Sequence, residues 1–204
     1  KKIIASSSTV SGEGKSFIAL NLGGIMALSK KKVVLLDLDM RKPKINSASV
    51  PMDASKGVST ILIRKHSWQE CIVHTSIENL DLIPSGPQPP NPSELLLNGD
   101  FITMLEGLKT QYDFILLDTP PVGLVTDGIM AMKRADISIY VFRANYSKKD
   151  FLKNLQRVLK LNKFTNVTTL LNAVPPAHEG YYGSGYYEEG PSTTSKLKTF
   201  FKRA

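Results

Sequence analysis

The sequence is poor in cysteine and histidine. Cys71 is the only cysteine among 204 residues, and there are 3 histidines. The chain therefore cannot form an internal disulfide, and it lacks the clustered cysteines and histidines of a zinc or iron site. A lone cysteine is typical of a small buried apolar residue in a protein from a reducing cytoplasm.

Long apolar runs are also missing. No stretch approaches the ~18 to 20 consecutive apolar residues that cross a bilayer, and no signal peptide is visible. These absences predict a soluble chain without a membrane span of its own. The chain begins with Lys1 rather than Met and enters a strand pattern almost at once, so we interpret it as a fragment of a longer protein.

Positive charge exceeds negative charge. Lysine and arginine number 26 against 18 aspartates and glutamates, which gives a formal net charge of +8. That excess favours an anionic partner, whether a phosphorylated ligand, a nucleic acid or an anionic membrane surface, and does not choose among them. The hydrophobic content of 42% is ordinary for a globular protein of this length, so we expect one compact domain.

The most informative stretch is residues 5–17, which read A-S-S-S-T-V-S-G-E-G-K-S-F. A strand pattern precedes its glycines and a helical pattern follows them. In such a unit the glycines let backbone N–H groups wrap a phosphate, Lys15 reaches the β- and γ-phosphates, and the Ser16 hydroxyl ligates Mg²⁺. The general Walker A motif starts with a glycine where this chain has Thr9. A plain Gly/Ser turn is the alternative interpretation.

Two further apolar strand patterns end in carboxylates. The first is V-V-L-L followed by Asp37 and Asp39, and the second is F-I-L-L followed by Asp118. Open α/β sheets bind ligands at the carboxyl ends of their strands, and a carboxylate there can hold Mg²⁺ beside a phosphate loop. The repetition of this arrangement favours a ligand site over solvated strand ends.

The remaining sequence alternates strand and helix patterns. About six strands with intervening helices predict an α/β fold of the P-loop NTPase class, with a mostly parallel, doubly wound sheet. Among the helices we expect one over residues 93–111 and a short one over residues 67–73. We place the folded domain at residues 1–174.

Residues 175–204 have no core-forming period, and we predict a flexible tail there. The tail contains a cluster of tyrosines among glycines: Tyr181, Tyr182, Tyr186 and Tyr187. Aromatic stacking on single-stranded RNA is one interpretation of such a segment. No arginine interleaves before residue 190, however, so we expect no nucleic acid partner.

The order and spacing of the motifs resemble those of one family. S-G-E-G-K-S, V-V-L-L-D-L-D-M-R, P-P-N-P-S-E-L-L, F-I-L-L-D-T-P-P and the tyrosine cluster are similar to the cytoplasmic catalytic domain of bacterial tyrosine kinases of capsule and exopolysaccharide synthesis. The resemblance covers nearly the whole chain. Partition and division ATPases are similar in fold but usually carry a lysine where this chain has Val10, which favours the kinases.

The resemblance implies ATP and Mg²⁺ as cofactors, and catalysis by Lys15, Asp37 and Asp39. Either D-x-D carboxylate can accept the tyrosine proton, and we assign that role to Asp37. Arg41 would position the D-x-D motif or a phosphate. Asn172 resembles a residue that reads the adenine edge, and a turn-forming asparagine is the alternative. The implied nucleotide site is Ser11, Gly12, Glu13, Gly14, Lys15, Ser16, Phe17, Arg41 and Asn172, and the implied metal ligands are Ser16, Asp39 and Asp118.

The resemblance also implies partners. The tail tyrosines would receive phosphate, from a neighbouring subunit of a homo-oligomer, at the cytoplasmic face of the bacterial plasma membrane. A membrane-spanning polysaccharide co-polymerase, fused or separate, would activate the kinase. The ring motif of the family, Glu-x-x-Arg-x-x-Arg, is absent here, which puts ring formation in doubt. Two alternatives are a switch ATPase that hydrolyses ATP to water and a regulator of polysaccharide export that binds nucleotide but transfers nothing.

Overall fold

The computed structural model describes residues 2–43, 52–123 and 126–175. Within these ranges the chain forms a sheet of seven strands. The strands are β1 Ile3–Ser8, β2 Val33–Asp37, β3 Val73–His74, β4 Leu80–Ile83, β5 Phe114–Asp118, β6 Ile137–Arg143 and β7 Val167–Asn172. The helices are α1 Lys15–Leu28, α2 Val58–Leu62, α3 Pro92–Leu97, α4 Gly99–Gln111, α5 Asp127–Arg134 and α6 Lys149–Asn162, with a 3₁₀ turn at Gln69–Cys71.

The strands lie in the order β3-β4-β2-β5-β1-β6-β7, and every neighbouring pair is parallel except β3 with β4. This confirms the predicted doubly wound, mostly parallel sheet. Asp118 of β5 is paired in register with Ser6 of β1 on one side and Asp37 of β2 on the other. Because parallel strands end at the same edge, the phosphate loop and both acidic strand ends meet there.

Two apolar layers hold the sheet between helices. On one face Leu36 and Leu117 pack in a cluster with Phe101 of α4, and on the other face Leu35 and Leu116 pack in a cluster with residues of α1. Neighbouring positions along a strand point to opposite faces, so a strand covered on both sides must be apolar at every position. This is why the central strands are continuous apolar runs.

Two predicted helices differ from the structure. The helix predicted over residues 93–111 is divided into α3 and α4, because Asn98 between them is extended, with φ −64° and ψ 151°. Its carbonyl accepts a hydrogen bond from the Phe101 N–H at 3.2 Å, and this bond begins α4 as a separate helix. The helix predicted over residues 67–73 is instead the 3₁₀ turn followed by β3, which pairs antiparallel with β4.

The predicted tail and its tyrosine cluster lie outside the described residues, apart from residue 175. The domain boundary therefore stays a prediction. In the described ranges, no helix is both long enough and apolar enough to span a membrane.

Candidate active site

The predicted phosphate loop lies between β1 and α1. Gly12 and Gly14 have φ values of 91° and 96°, in the left-handed region that favours glycine. A Cβ on Gly14 would lie 2.1 Å from the Asn172 Nδ2, so the loop has no room for a larger residue there. Helix α1 begins directly after Gly14, and its first-turn N–H groups, with the positive end of the helix dipole, lie at the loop. This geometry is that of an anion site.

A buried ion pair joins the loop to β5. The Lys15 Nζ lies 3.3 Å from Asp118 Oδ1 and 3.3 Å from the Ser16 Oγ. Burial raises the pKa of Asp118 above its ordinary value, while the Lys15 ammonium acts in the opposite direction. The two side chains therefore depend on each other, because a buried charge without a partner is costly.

The second oxygen of Asp118 fits a cation. Asp118 Oδ2 is buried and has no hydrogen-bond partner among the described residues. No group of three or more His, Cys, Asp or Glu in the described ranges would hold a metal ion alone. Mg²⁺ does not need such a group, since it binds through one or two carboxylates together with phosphate and water oxygens. Asp118 and the Ser16 hydroxyl are oxygen ligands of the right kind.

The two carboxylates of the D-x-D motif lie at the end of β2, and both are buried. The Asp39 N–H donates to Asp37 Oδ1 at 3.0 Å, and Asp39 Oδ1 accepts from the Lys42 N–H at 3.1 Å. The Asp39 charge is also close enough to contribute to the raised pKa of Asp118. The structure thus brings Lys15, Asp39 and Asp118 together, as the sequence predicts.

Arg41 contacts residues of α3 and α5. Its Nε lies 3.0 Å from Asp127 Oδ2, and its Nη2 donates to the Ser93 Oγ at 3.1 Å. The Ser93 hydroxyl in turn donates to Asp127 Oδ1. Arg41 therefore fastens the turn after the D-x-D motif to the first turns of α3 and α5, which agrees with a role in positioning that motif.

Known proteins resemble this chain over most of its length. Residues 1–168 match the AAA domain family. The tyrosine-protein kinase YwqD of Bacillus subtilis is 31% identical over 186 residues, which make up 90% of this chain and 78% of YwqD. The chain belongs to this family of bacterial tyrosine-protein kinases.

Two further members place the chain within the kinase family. The kinase domain of the Escherichia coli tyrosine kinase ETK has a TM-score of 0.80 and 27% identity, with 92% of this chain and 73% of that domain covered. The tyrosine-protein kinase Wzc of Salmonella typhimurium is 35% identical over 184 residues, but these are only 25% of Wzc. The chain thus spans about a quarter of the length of such longer relatives.

Glu13 and Asn172, two of the predicted nucleotide-site residues, are joined by a hydrogen bond. The Glu13 carboxylate is buried, accepting from the Val10 N–H at 2.9 Å and from the Ser147 hydroxyl. Asn172 Nδ2 donates to the Glu13 carbonyl at 3.2 Å. The adenine role of Asn172 stays a prediction.

Several residues at the site are not among the predicted site residues, although one of them, Ser93, lies within the P-P-N-P-S-E-L-L motif. They are Ser93, Asp127, Arg143, Tyr146 and Ser147, and all contact residues of the loop or of the D-x-D turn. For Arg143, Tyr146 and Ser147 the available signal is a polar stretch, residues 143–150, that starts where a buried strand ends, at the same sheet edge as the loop. The predicted phosphate acceptors, Tyr181, Tyr182, Tyr186 and Tyr187, lie outside the described residues.

Proposed function

We propose that this chain is the catalytic domain of an ATP-dependent protein-tyrosine autokinase of capsule or exopolysaccharide synthesis. The observation that carries the proposal is the buried Lys15–Asp118 pair, whose second carboxylate oxygen has no partner in the described ranges, directly at a glycine-rich loop. Membership of the tyrosine-kinase family supports tyrosine, rather than water, as the acceptor. YwqD, which the chain matches over most of its length, is named a tyrosine-protein kinase.

The loop and Lys15 would bind the phosphates of ATP. The loop N–H groups and the start of α1 form a cradle for the α- and β-phosphates. The Lys15 ammonium lies among oxygen groups at the carboxyl edge of the sheet. It would neutralise the negative charge that develops on the β–γ bridging oxygen during transfer. Phosphoryl transfer depends mainly on this positioning and charge neutralisation, so we expect Lys15 to make the largest contribution to the rate.

Ser16, Asp39 and Asp118 would hold Mg²⁺. When bound, the ion neutralises the phosphate oxygens and aligns the γ-phosphate for in-line attack. Asp118 suits this task because Oδ2 is fixed by burial and has no protein donor within the described ranges.

Asp37 would take up the proton of the acceptor tyrosine. The phenol oxygen forms a bond to the γ-phosphorus, the bond from that phosphorus to the β–γ bridging oxygen breaks, and ADP leaves with the electron pair. The phenol proton passes to the Asp37 carboxylate. The acceptors are the tail tyrosines Tyr181, Tyr182, Tyr186 and Tyr187, on a neighbouring subunit of a homo-oligomer.

The longer relatives favour a membrane-spanning activator. Wzc has three quarters of its length outside the part that this chain matches, which leaves room for the polysaccharide co-polymerase region that the family resemblance implies. We propose that such a region, fused or separate, activates the kinase at the cytoplasmic face of the membrane.

The test is autophosphorylation of the purified chain with Mg-ATP, detected with an anti-phosphotyrosine antibody. We expect phosphotyrosine on the natural chain and on Lys153→Met, a control at an exposed lysine of α6. Lys15→Met should lose the signal by a hundredfold or more, about 3 kcal/mol of transition-state stabilisation. Release of inorganic phosphate with no phosphotyrosine would show a switch ATPase instead.

A further inference from the structure

Four consecutive carbonyls of the phosphate loop, those of residues 10–13, accept hydrogen bonds from side chains. The donors are the Ser8 Oγ to the Val10 carbonyl at 2.8 Å, the Tyr146 Oη to Ser11 at 2.9 Å, the Arg143 Nη1 to Gly12 at 3.0 Å and the Asn172 Nδ2 to Glu13 at 3.2 Å. Every carbonyl of this stretch is therefore held from outside the loop.

Peptide geometry converts these bonds into a constraint on the phosphate cradle. In a planar trans peptide, the carbonyl of one residue and the N–H of the next point in opposite directions. Fixing the carbonyls of residues 10–13 on the outer side therefore directs the N–H groups of residues 11–14 to the opposite side. Those N–H groups are the ones that a glycine-rich loop offers to phosphate.

Two of the four donors come from one short segment, residues 143–147, that begins at the last residue of β6. Within this segment the Ser147 Oγ accepts from the Arg143 N–H at 2.8 Å and donates to the buried Glu13 carboxylate. The Arg143 guanidinium also lies 5.5 Å from the centre of the Tyr146 ring, within the range of a cation–π contact. A Cβ on Gly12 would come within 2.9 Å of the Tyr146 Oη, so the segment packs against the loop without a gap.

We propose that Arg143, Tyr146 and Ser147 are positioning residues that preorganise the phosphate loop and thereby set its affinity for ATP. None of the three is placed at the reacting atoms, so their loss should weaken nucleotide binding and leave the transfer step nearly unchanged. This inference rests on the proposed function, because it takes ATP as the ligand of the loop.

The experiment compares ATP dissociation constants by calorimetry, together with KM and kcat for autophosphorylation. For Tyr146→Phe, which removes only the hydroxyl, we expect the dissociation constant and KM to rise about fivefold, the loss of one hydrogen bond, with kcat within about twofold. Arg143→Met should weaken binding about tenfold, and Arg143→Lys, which keeps a charged donor, should recover part of that loss.

Matched controls separate loop positioning from general stability. Tyr112→Phe removes a phenol hydroxyl that donates to Asp81 at 2.7 Å, away from the loop. Arg64→Met removes the exposed ion pair with Asp100. Both should bind ATP as the natural chain does. Unchanged ATP affinity in Tyr146→Phe and Arg143→Met, or an equal loss in the controls, would overturn the inference. The natural chain could form no phosphotyrosine and still bind ATP more tightly than the loop variants. That result would support the inference about the loop and would refute only the proposed kinase activity.

Discussion

Asp37 and Asp118 end neighbouring parallel strands and are paired in register with each other. Their carboxylates therefore lie at the same edge of the sheet, the edge at which β1 leads into the glycine-rich loop. Equal placement does not give them equal roles. Asp118 is paired with Lys15 and has a second oxygen without a partner in the described ranges, which suits a metal ligand, while Asp37 Oδ1 accepts from the Asp39 N–H.

Neutralising each carboxylate should separate these roles. Asp118→Asn should require more Mg²⁺ for half-maximal autophosphorylation and should lower the maximal rate by a hundredfold or so, because a metal ligand is lost. Asp37→Asn should lower the rate by about 10²- to 10⁴-fold, the usual contribution of a positioned base, without changing the Mg²⁺ requirement. Initial rates against Mg²⁺ concentration measure both, with the exposed Asp113→Asn as a control at the opposite edge. Equal shifts in Mg²⁺ requirement would contradict the assignment.

The Arg41–Asp127 pair should matter for stability chiefly through its buried member. Asp127 is 1% exposed, whereas the Arg41 side chain is 40% exposed. Asp127→Ala removes the acceptor of Arg41 and Ser93 together with a negative charge at the start of α5, so the free energy of unfolding should fall by about 1 to 3 kcal/mol. Arg41→Ala should cost less than Asp127→Ala, because the Ser93 hydroxyl still donates to Asp127 and solvent that reaches the half-exposed Arg41 position can take over part of its role.

Urea unfolding of the two variants measures this difference. Arg64→Ala is the matched control, since its pair with Asp100 is formed by a side chain that is 80% exposed. It should change the unfolding free energy little. A larger effect for Arg41→Ala than for Asp127→Ala would show that the arginine, and not the buried aspartate, organises this contact.

The sequence predicts the parts of this site that depend on local pattern. Apolar runs ending in Asp37 and Asp118 identify buried parallel strands, and parallel strands end at one edge. The structure shows this shared edge, with Asp37 and Asp118 in register and Asp118 paired with Lys15. A glycine-rich turn before a helix is likewise a local feature. The two-residue strand β3 is too short to leave a pattern. The helix break at extended Asn98 does have a local signal, the Asn98-Gly99 pair, which is typical of a turn and which the prediction of one continuous helix overlooked.

The residues that hold the loop from outside could not be predicted in the same way. Arg143 is 131 positions from Gly12 along the chain, and they meet because β6 lies next to β1. No local pattern specifies that neighbour. Asp127 is similar, because an acidic residue in a helix first turn is ordinary on dipole grounds alone, and its burial against Arg41 follows from how α5 packs.

The pairing of β1 with the turn before β6 should depend on pH. Asp136 Oδ2 accepts from the Ile3 N–H at 3.0 Å and the Lys2 N–H at 2.6 Å. These bonds, that from Ile3 above all, hold the pKa of Asp136 below its ordinary value. A carboxylate with a lowered pKa stabilises the folded state above its unfolded pKa, and that stabilisation is lost as pH falls through the folded value.

Asp136→Asn should therefore lower the free energy of unfolding at neutral pH by about 1 kcal/mol or less, allowing for solvent screening. The difference from the natural chain should shrink as pH falls below about 4, the ordinary range of an aspartate. Thermal unfolding of both chains between neutral and acid pH measures it, with Asp150→Asn as a control at an exposed aspartate. A difference that is constant with pH would exclude the charge of Asp136 as the cause.

The direction in which the chain leaves β7 bears on which tyrosines each site would phosphorylate. Asn172, the last residue of β7, holds the Glu13 carbonyl, and so lies on the outer side of the loop. The γ-phosphate would lie on the inner side, near Lys15 and Asp118. On this geometry a tyrosine that follows β7 starts on the side of the loop away from the site of its own chain, which favours the site of a neighbouring subunit as the one that phosphorylates it. We therefore predict transfer between chains.

A mixture of two complementary variants tests that prediction directly. One chain carries Lys15→Met with its tyrosines intact, and the other keeps Lys15 but has phenylalanine in place of Tyr181, Tyr182, Tyr186 and Tyr187. Neither should label strongly alone, and together they should phosphorylate the Lys15→Met chain at a rate that rises with total protein concentration. Each added phosphate contributes about −1.5 to −2 charges, so four would add roughly −6 to −8 and nearly cancel the formal +8 of the chain. Repulsion among such segments should weaken self-association, so phosphorylated natural chain should sediment as a smaller species than the four-phenylalanine chain. An unlabelled Lys15→Met chain in the mixture, beside a natural chain that labels at a concentration-independent specific rate, would establish transfer within one chain instead.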